Sequence, residues 1–267
     1  MYRILVPTDF SPNANCALEY AAKIASKLNA EILLLHAYSL SYKKSFTIIN
    51  LENLPEEFLK IEAERIKRKY PKVNFIPKCI FANATKAITE ICEEEHIDLI
   101  IMGAIGKSHK VEKIFGDITI SIINKTTNPI IIVPLNTPPN IPKNILIAND
   151  FSHKGDESIF EPINDLSEAI SSEIYFINII PTKKVMKEQQ KMTAEFDQYD
   201  DPYHQFQYKV NNDTEEKLID FTNKNKTDLI VLIKHQYKFW REILHNSLTK
   251  SMAKHSQIPL FILNDKS

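Results

Sequence analysis

Glycine is scarce in this sequence, with four residues in a chain of 267. A fold built on many glycine turns is therefore excluded, and wherever glycines do gather, a local reason is needed. Cysteine is equally sparse. Cys16, Cys79 and Cys92 have no zinc-ligand spacing, and their odd number argues against a disulfide framework, so they read as reduced thiols of a cytoplasmic protein. No apolar run approaches membrane-spanning length, and "YRILVPTDFS" follows Met1 without a basic segment and a long apolar one, so neither a membrane span nor a signal peptide is expected. Charge of one sign is missing too. The 33 Lys and Arg nearly balance 34 Asp and Glu, and a formal net charge of −1 provides no field to recruit nucleic acid or an anionic membrane. The eight histidines are scattered, with no helical i, i+4 pair, so no structural metal is expected.

What is present is a repeat. "RILVPTDFS" (Arg3 to Ser11) aligns with "NILIANDFS" (Asn144 to Ser152), and "AEILLLHAY" from Ala30 aligns with "SEIYFINII" from Ser172. "IDLIIMGA" from Ile97 matches "TDLIVLIK" from Thr227, and "TNPIIIVP" matches "SQIPLFIL", which sets Asp98 against Asp228 and Pro129 against Pro259. Four matches in one order mark a duplicated domain. The boundary falls in "NTPPNIPKN" (Asn136 to Asn144), where three prolines interrupt regular structure, giving domains 1–138 and 139–267. Within each copy, short unbroken Ile/Leu/Val strands alternate with amphipathic helices. Ser11 with Pro12, and Asn83, are helix-start signals. The fold class is α/β: two tandem doubly wound domains, each with a mainly parallel five-stranded sheet flanked by helices.

Three of the four glycines lie in "MGAIGKSHKVEKIFGDIT" (Met102 to Thr119), at positions 103, 106 and 116. In such a sheet, ligands bind beyond the carboxyl ends of the strands, where the winding direction changes. Thr8 and Asp9 follow the first strand, and Gly103 follows the fourth. Gly103 and Gly106 can take positive φ and present N–H groups to an anion; Gly116 precedes a helix whose N-terminus favours a phosphate. Lys107 and Ser108 do not make a Walker A loop, because only two residues separate Gly103 from Gly106 and Ile101 stands where the first glycine is required. The G-x-G-x-x-G pattern of dinucleotide folds is absent as well.

The spacing Gly103-x2-Gly106-x9-Gly116, together with "RILVPTDFSPNANCALEYAAKIA" and "NPIIIVP", resembles the universal stress protein family, and the resemblance covers the whole chain as two tandem units. It implies a five-stranded parallel sheet and a site for ATP or another adenine nucleotide. Asp9 and a residue near Ala37 would face the adenine, Gly103 and Gly106 would line the ribose and phosphates, and Gly116 with the start of the next helix would hold the phosphate tail. One position departs from that pattern. Where the family's nucleotide binders carry Ser or Thr, this chain carries Asp117, whose carboxylate cannot donate to a phosphate, repels it, and is itself a helix cap. Lys107, Lys110 and Lys113 are the cations available to offset it, and Thr119 still offers a hydroxyl; otherwise the site favours AMP or a ligand of lower charge.

An offset of 130 places Ile233, Gln236 and Asn246 at the three glycine positions of the second copy, with Ser247 at the hydroxyl position. A β-branched Ile233 does not suit close backbone approach, so no nucleotide is expected there in the same mode. Phe239 and Trp240 read as interdomain packing, and His36 as structural. Residues 39–55 read as a lid or a packing arm. The sequence is thus read as a tandem stress protein, its halves packed as an internal pseudo-dimer with a homodimer as a further option. ATP or AMP serves as a regulatory ligand of the first half. The rival readings are a scaffold acting through protein partners without nucleotide, and a weak ATPase.

Overall fold

Strands with no polar alternation must be covered on both faces, and the structure, a computed structural model, covers them. It describes residues 1–39, 54–106, 115–149, 157–180, 204–210, 222–234 and 258–264. Two compact units divide the chain, Met1–Ile141 and Pro142–Ser267.

The first unit runs β1 (Arg3–Pro7), α1 (Pro12–Leu28), β2 (Glu31–Tyr38), α2 (Leu54–Lys69), β3 (Asn74–Phe81), α3 (Ala84–Glu94), β4 (Leu99–Gly103), α4 (Asp117–Lys125) and β5 (Ile130–Val133). Its five strands pair in parallel in the order β3-β2-β1-β4-β5. Ile4, Leu5, Val6 and the whole of β5 have no solvent exposure, as expected for strands sandwiched between helix layers. The second unit contains β6 (Asn144–Asn149), a short 3-10 turn (Glu157–Phe160), α5 (Glu161–Ile170), β7 (Glu173–Ile180), β8 (His204–Val210), β9 (Leu229–Lys234) and β10 (Leu260–Asn264). Its parallel order, β8-β7-β6-β9-β10, repeats that of the first unit.

The helix-start signals act as the sequence indicates. The Ser11 hydroxyl accepts the Ala14 N–H at 3.1 Å with Pro12 as the first helical residue, and the Asn83 side chain accepts the Lys86 N–H at 2.9 Å. At the other end of α1, Asn29 takes the left-handed conformation, φ 51°, and its N–H closes the last turn on Ala25.

The duplication extends to individual hydrogen bonds. The Asp98 carboxylate accepts the Arg3 N–H at 2.7 Å while the Asp98 N–H donates to the Arg3 carbonyl; Asp228 makes the same pair of bonds with Asn144. Ile100 donates to Pro129 as Ile230 donates to Pro259, and left-handed His96 corresponds to left-handed Lys226. These positions anchor the amino ends of the strands, which leaves the carboxyl ends free to differ between copies.

At that amino end Glu95 joins the Arg3 guanidinium at 3.0 Å and the Lys78 ammonium at 2.8 Å. Hydrogen bonding to Lys78, then its charge, holds the Glu95 carboxyl below its ordinary value of 4.5. A carboxyl lowered in the folded state adds stability above its ordinary value, and that stability is lost as pH falls through the lowered one. Glu95→Gln therefore flattens the acid limb: urea midpoints of variant and parent differ at about pH 7 and converge toward about pH 3. A constant difference across that range contradicts the assignment.

Candidate ligand site

In a sheet of order β3-β2-β1-β4-β5 the winding direction changes between β1 and β4, and a crevice opens there at the carboxyl edge. A cavity of about 490 Å³ occupies it. Pro7, Leu35, Ala37, Ala84, Ile88 and Met102 form its apolar walls; Thr8, Asp9, Gly103, Ile105, Gly106, Gly116, Asp117 and Thr119 form the rest of its rim, together with Ala14 and Ile118. Eight of the nine residues singled out by sequence, Thr8, Asp9, Ala37, Gly103, Gly106, Gly116, Asp117 and Thr119, thus line one space. Lys107, like Lys110, Lys113 and Ser108, lies outside the described residues.

Local structure places the acidic turn. Phe10 adopts a left-handed φ of 59°, costly for an aromatic residue, and so reverses the chain between β1 and α1. The turn is held from within: Thr8 Oγ1 accepts the Phe10 N–H and Asp9 Oδ1 accepts the Ser11 N–H, both at 3.0 Å. Side chains alternate along β2, so Leu35 and Ala37 line the cavity while His36 and Tyr38 project to the opposite face. There the His36 ring lies 4.5 Å from that of Phe10 and 6.4 Å from that of Tyr38, centre to centre. His36 Nδ1 is 2.7 Å from the Thr8 carbonyl; a carbonyl only accepts, so Nδ1 carries the proton. His36 is thereby a structural clamp on the acidic turn.

The glycine loop works differently from the sequence reading. Of the described glycines, none has positive φ. What Gly103 and Gly106 provide is close approach: a Cβ on Gly103 would sit 3.0–3.1 Å from Asn13 side-chain and backbone atoms, and one on Gly106 would sit 2.8 Å from Asp9 Oδ2. Gly116 has ordinary clearance, 3.7 Å to its nearest neighbours. Nor are the N–H groups of Ala104, Ile105 and Gly116 available to an anion. Ala104 donates to Val133, Gly116 donates to Ala104, and Ile105 donates to Asn13 Oδ1.

Two expectations at α4 need correction. Gly116, not Asp117, occupies the N-cap position, and it does so without a capping side chain; Asp117 is the exposed first residue of the helix. The Thr119 hydroxyl is not held ready for a phosphate. It is buried and lies 3.2 Å from the Ala104 carbonyl and 3.3 Å from that of Gly103, so its one proton serves the loop. Asn13, which sequence reading placed in α1 without a role, proves to be the side chain on which the loop rests. The only hint in the sequence was an Asn in the first turn of a helix, a position that residue favours only when its amide is engaged.

All three thiols are free, and burial pushes Cys92 up to about 11 and Cys79 upward, which favours the protonated thiol at those two positions. Among the described residues no cluster of His, Cys, Asp and Glu could hold a metal, and no helix is long and apolar enough to cross a membrane.

Comparison with known proteins supplies context for this geometry. A model of the universal stress protein family matches residues 1–134. Over 154 residues the chain is 30% identical to the universal stress protein MJ0577 of Methanocaldococcus jannaschii, an alignment spanning 50% of this chain and 95% of that relative. A universal stress protein from Archaeoglobus fulgidus DSM 4304 matches 98% of this chain and 96% of its own, with a TM-score of 0.70 at 16% identity. Another from Pseudomonas aeruginosa UCBPP-PA14 matches 99% and 94%, with a TM-score of 0.64 at 14% identity. At such identities the last two show likeness of fold.

The clearances make a paired prediction. Gly103→Ala forces its methyl against the rigid backbone of α1 and should cost about 1–3 kcal/mol, as overpacking does. Gly116→Ala meets only open contacts and should cost less than about 1 kcal/mol, the usual difference at an N-cap. Urea unfolding of both variants checks the order, and equal losses would contradict the close approach to Asn13.

Proposed function

Because the chain belongs to the universal stress protein family, we propose that its first unit binds an adenine nucleotide of low charge, AMP in preference to ATP, as a regulatory ligand. The observation that carries this reading is the composition of one cavity: an apolar slot at one end and a helix N-terminus at the other. A volume of about 490 Å³ lies in the usual range for small-molecule sites, roughly 300–1,000 Å³. In this reading the base lies among Leu35, Ala37, Ala84, Ile88 and Met102, where Asp9 can accept from an exocyclic amine. The ribose rests on the Gly103–Gly106 loop. The phosphate meets the start of α4, where the helix dipole favours an anion.

Charge decides how much phosphate the site takes. The described acids of the rim are Asp9 and Asp117, and Asp117 stands at the helix start itself. One phosphate gains more from the helix than it loses to a solvent-exposed carboxylate; a triphosphate brings more negative charge to the same place. We assign the ligand domain to residues 1–138 and a degenerate copy to 139–267. In the latter, Ile233 is buried at the end of β9, paired in register with Leu263, where the first copy has Gly103 paired with Val133. Free thiols fit a reducing cytoplasm, where we place the protein. A second reading, a scaffold for protein partners, draws on the exposure of Phe58, Ile61 and Phe81 in the first unit.

Titration calorimetry with AMP and with ATP tests the proposal. Heat of binding is expected for AMP, and weaker binding for ATP; heat with neither selects the scaffold. Asp117→Ser should raise ATP affinity about tenfold and AMP affinity by a smaller factor, since it removes a repelling carboxylate and supplies a donor. An unchanged ATP affinity would place the phosphates elsewhere.

A further inference from the structure

Asn13 touches three parts of the first unit without lining the cavity. It is the second residue of α1 and 2% exposed. Its Nδ2 donates to the Val133 carbonyl at the end of β5, and its Oδ1 accepts the Ile105 N–H inside the glycine loop, both at 2.9 Å. The amide cannot be reversed, because that would set oxygen against oxygen at Val133 and N–H against N–H at Ile105. The Val133 carbonyl also accepts the Ala104 N–H at 2.9 Å, so both its lone pairs are engaged. Gly103 admits this arrangement, since any Cβ there would meet Asn13 at 3.0 Å.

We infer that Asn13 is the positioning residue of the ligand site: its amide fixes the Ala104–Ile105 peptide, and with it the wall that Ile105 and Gly106 present to the ligand. The inference rests on the nucleotide reading for its ligand, but the hydrogen bonds stand without it. Bonding to Asn13 turns the Ile105 N–H toward α1 and away from the cavity, which withholds an anion-binding group and keeps the Ala104–Ile105 peptide in one orientation before any ligand arrives. Such preorganisation spares the ligand the cost of ordering that peptide.

The test uses the full chain and three readouts. Asn13→Leu keeps the volume and removes both bonds. Relative to the parent, amide exchange at Ile105 should accelerate about tenfold or more, while exchange in β1 and β2 stays protected. AMP dissociation constants should rise about tenfold, the size expected when a buried bonded pair is broken. Asn13→Asp supplies the signature that simple destabilisation does not. A protonated carboxyl has one O–H donor and one acceptor and so replaces the amide; an ionised one sets an oxygen against the Val133 carbonyl. Its AMP dissociation constant, divided by that of the parent at the same pH, should therefore fall toward one from about pH 8 to about pH 5. The corresponding ratio for Asn13→Leu should stay level.

An Asn13→Leu protein that binds AMP within about twofold of the parent, or whose Ile105 amide exchanges at the parental rate, overturns the inference. A level ratio for Asn13→Asp does the same, and that variant decides the matter if the Leu variant does not fold. A parent that fails to bind AMP removes the nucleotide reading instead, and exchange at Ile105 then decides the role of Asn13 alone.

Discussion

The first turn of α1 lies against the end of β4 at a distance that only a glycine permits, and the carboxyl edge of the first unit is organised around that approach. Because Gly103 has no side chain, Asn13 reaches across to Val133 and Ile105. The loop is then shaped by protein groups, with Thr119 closing it from α4. The cavity that results combines apolar walls, two acids and a helix start. The glycine spacing is a packing constraint before it is a ligand motif.

This explains what could be read in the sequence and what could not. Strands without polar alternation announce a parallel sheet covered on both sides, and the repeat at Asp98/Asp228 and Pro129/Pro259 announces two copies, because both signals are local or periodic. Ser11 and Asn83 announce helix starts by acting on neighbours three residues away. The role of Asn13 depends on partners 92 and 120 positions distant, and no spacing rule exposes such a partner. Positive φ at the glycines was the general expectation for that residue; the structure uses the missing Cβ instead. The left-handed residue beside the cavity is Phe10, a type that sequence reasoning assigns to the core or to a ring contact, not to a turn. Asp117 does open α4, but the cap role that the sequence suggests for it falls to Gly116.

The two copies also show which part of this architecture is required and which is adjustable. Bonds at the amino ends of the strands recur in both units, down to the acid that ties β4 to β1 and β9 to β6. At the carboxyl end the glycine of one copy is a buried isoleucine in the other. The edge that ties the sheet together is kept, and the edge where the glycines lie is where the copies diverge.

The Val133 carbonyl adds an element of time. It belongs to the last strand of the first unit and lies 120 residues after the side chain that reaches it. A chain emerging from the ribosome displays Asn13 and the whole glycine loop while the oxygen that holds them is still unmade. The earlier strands can pair by then, but the cavity cannot acquire its wall. The wall is therefore complete only once β5 has been made, and a chain truncated before β5 retains the loop's sequence without its anchor.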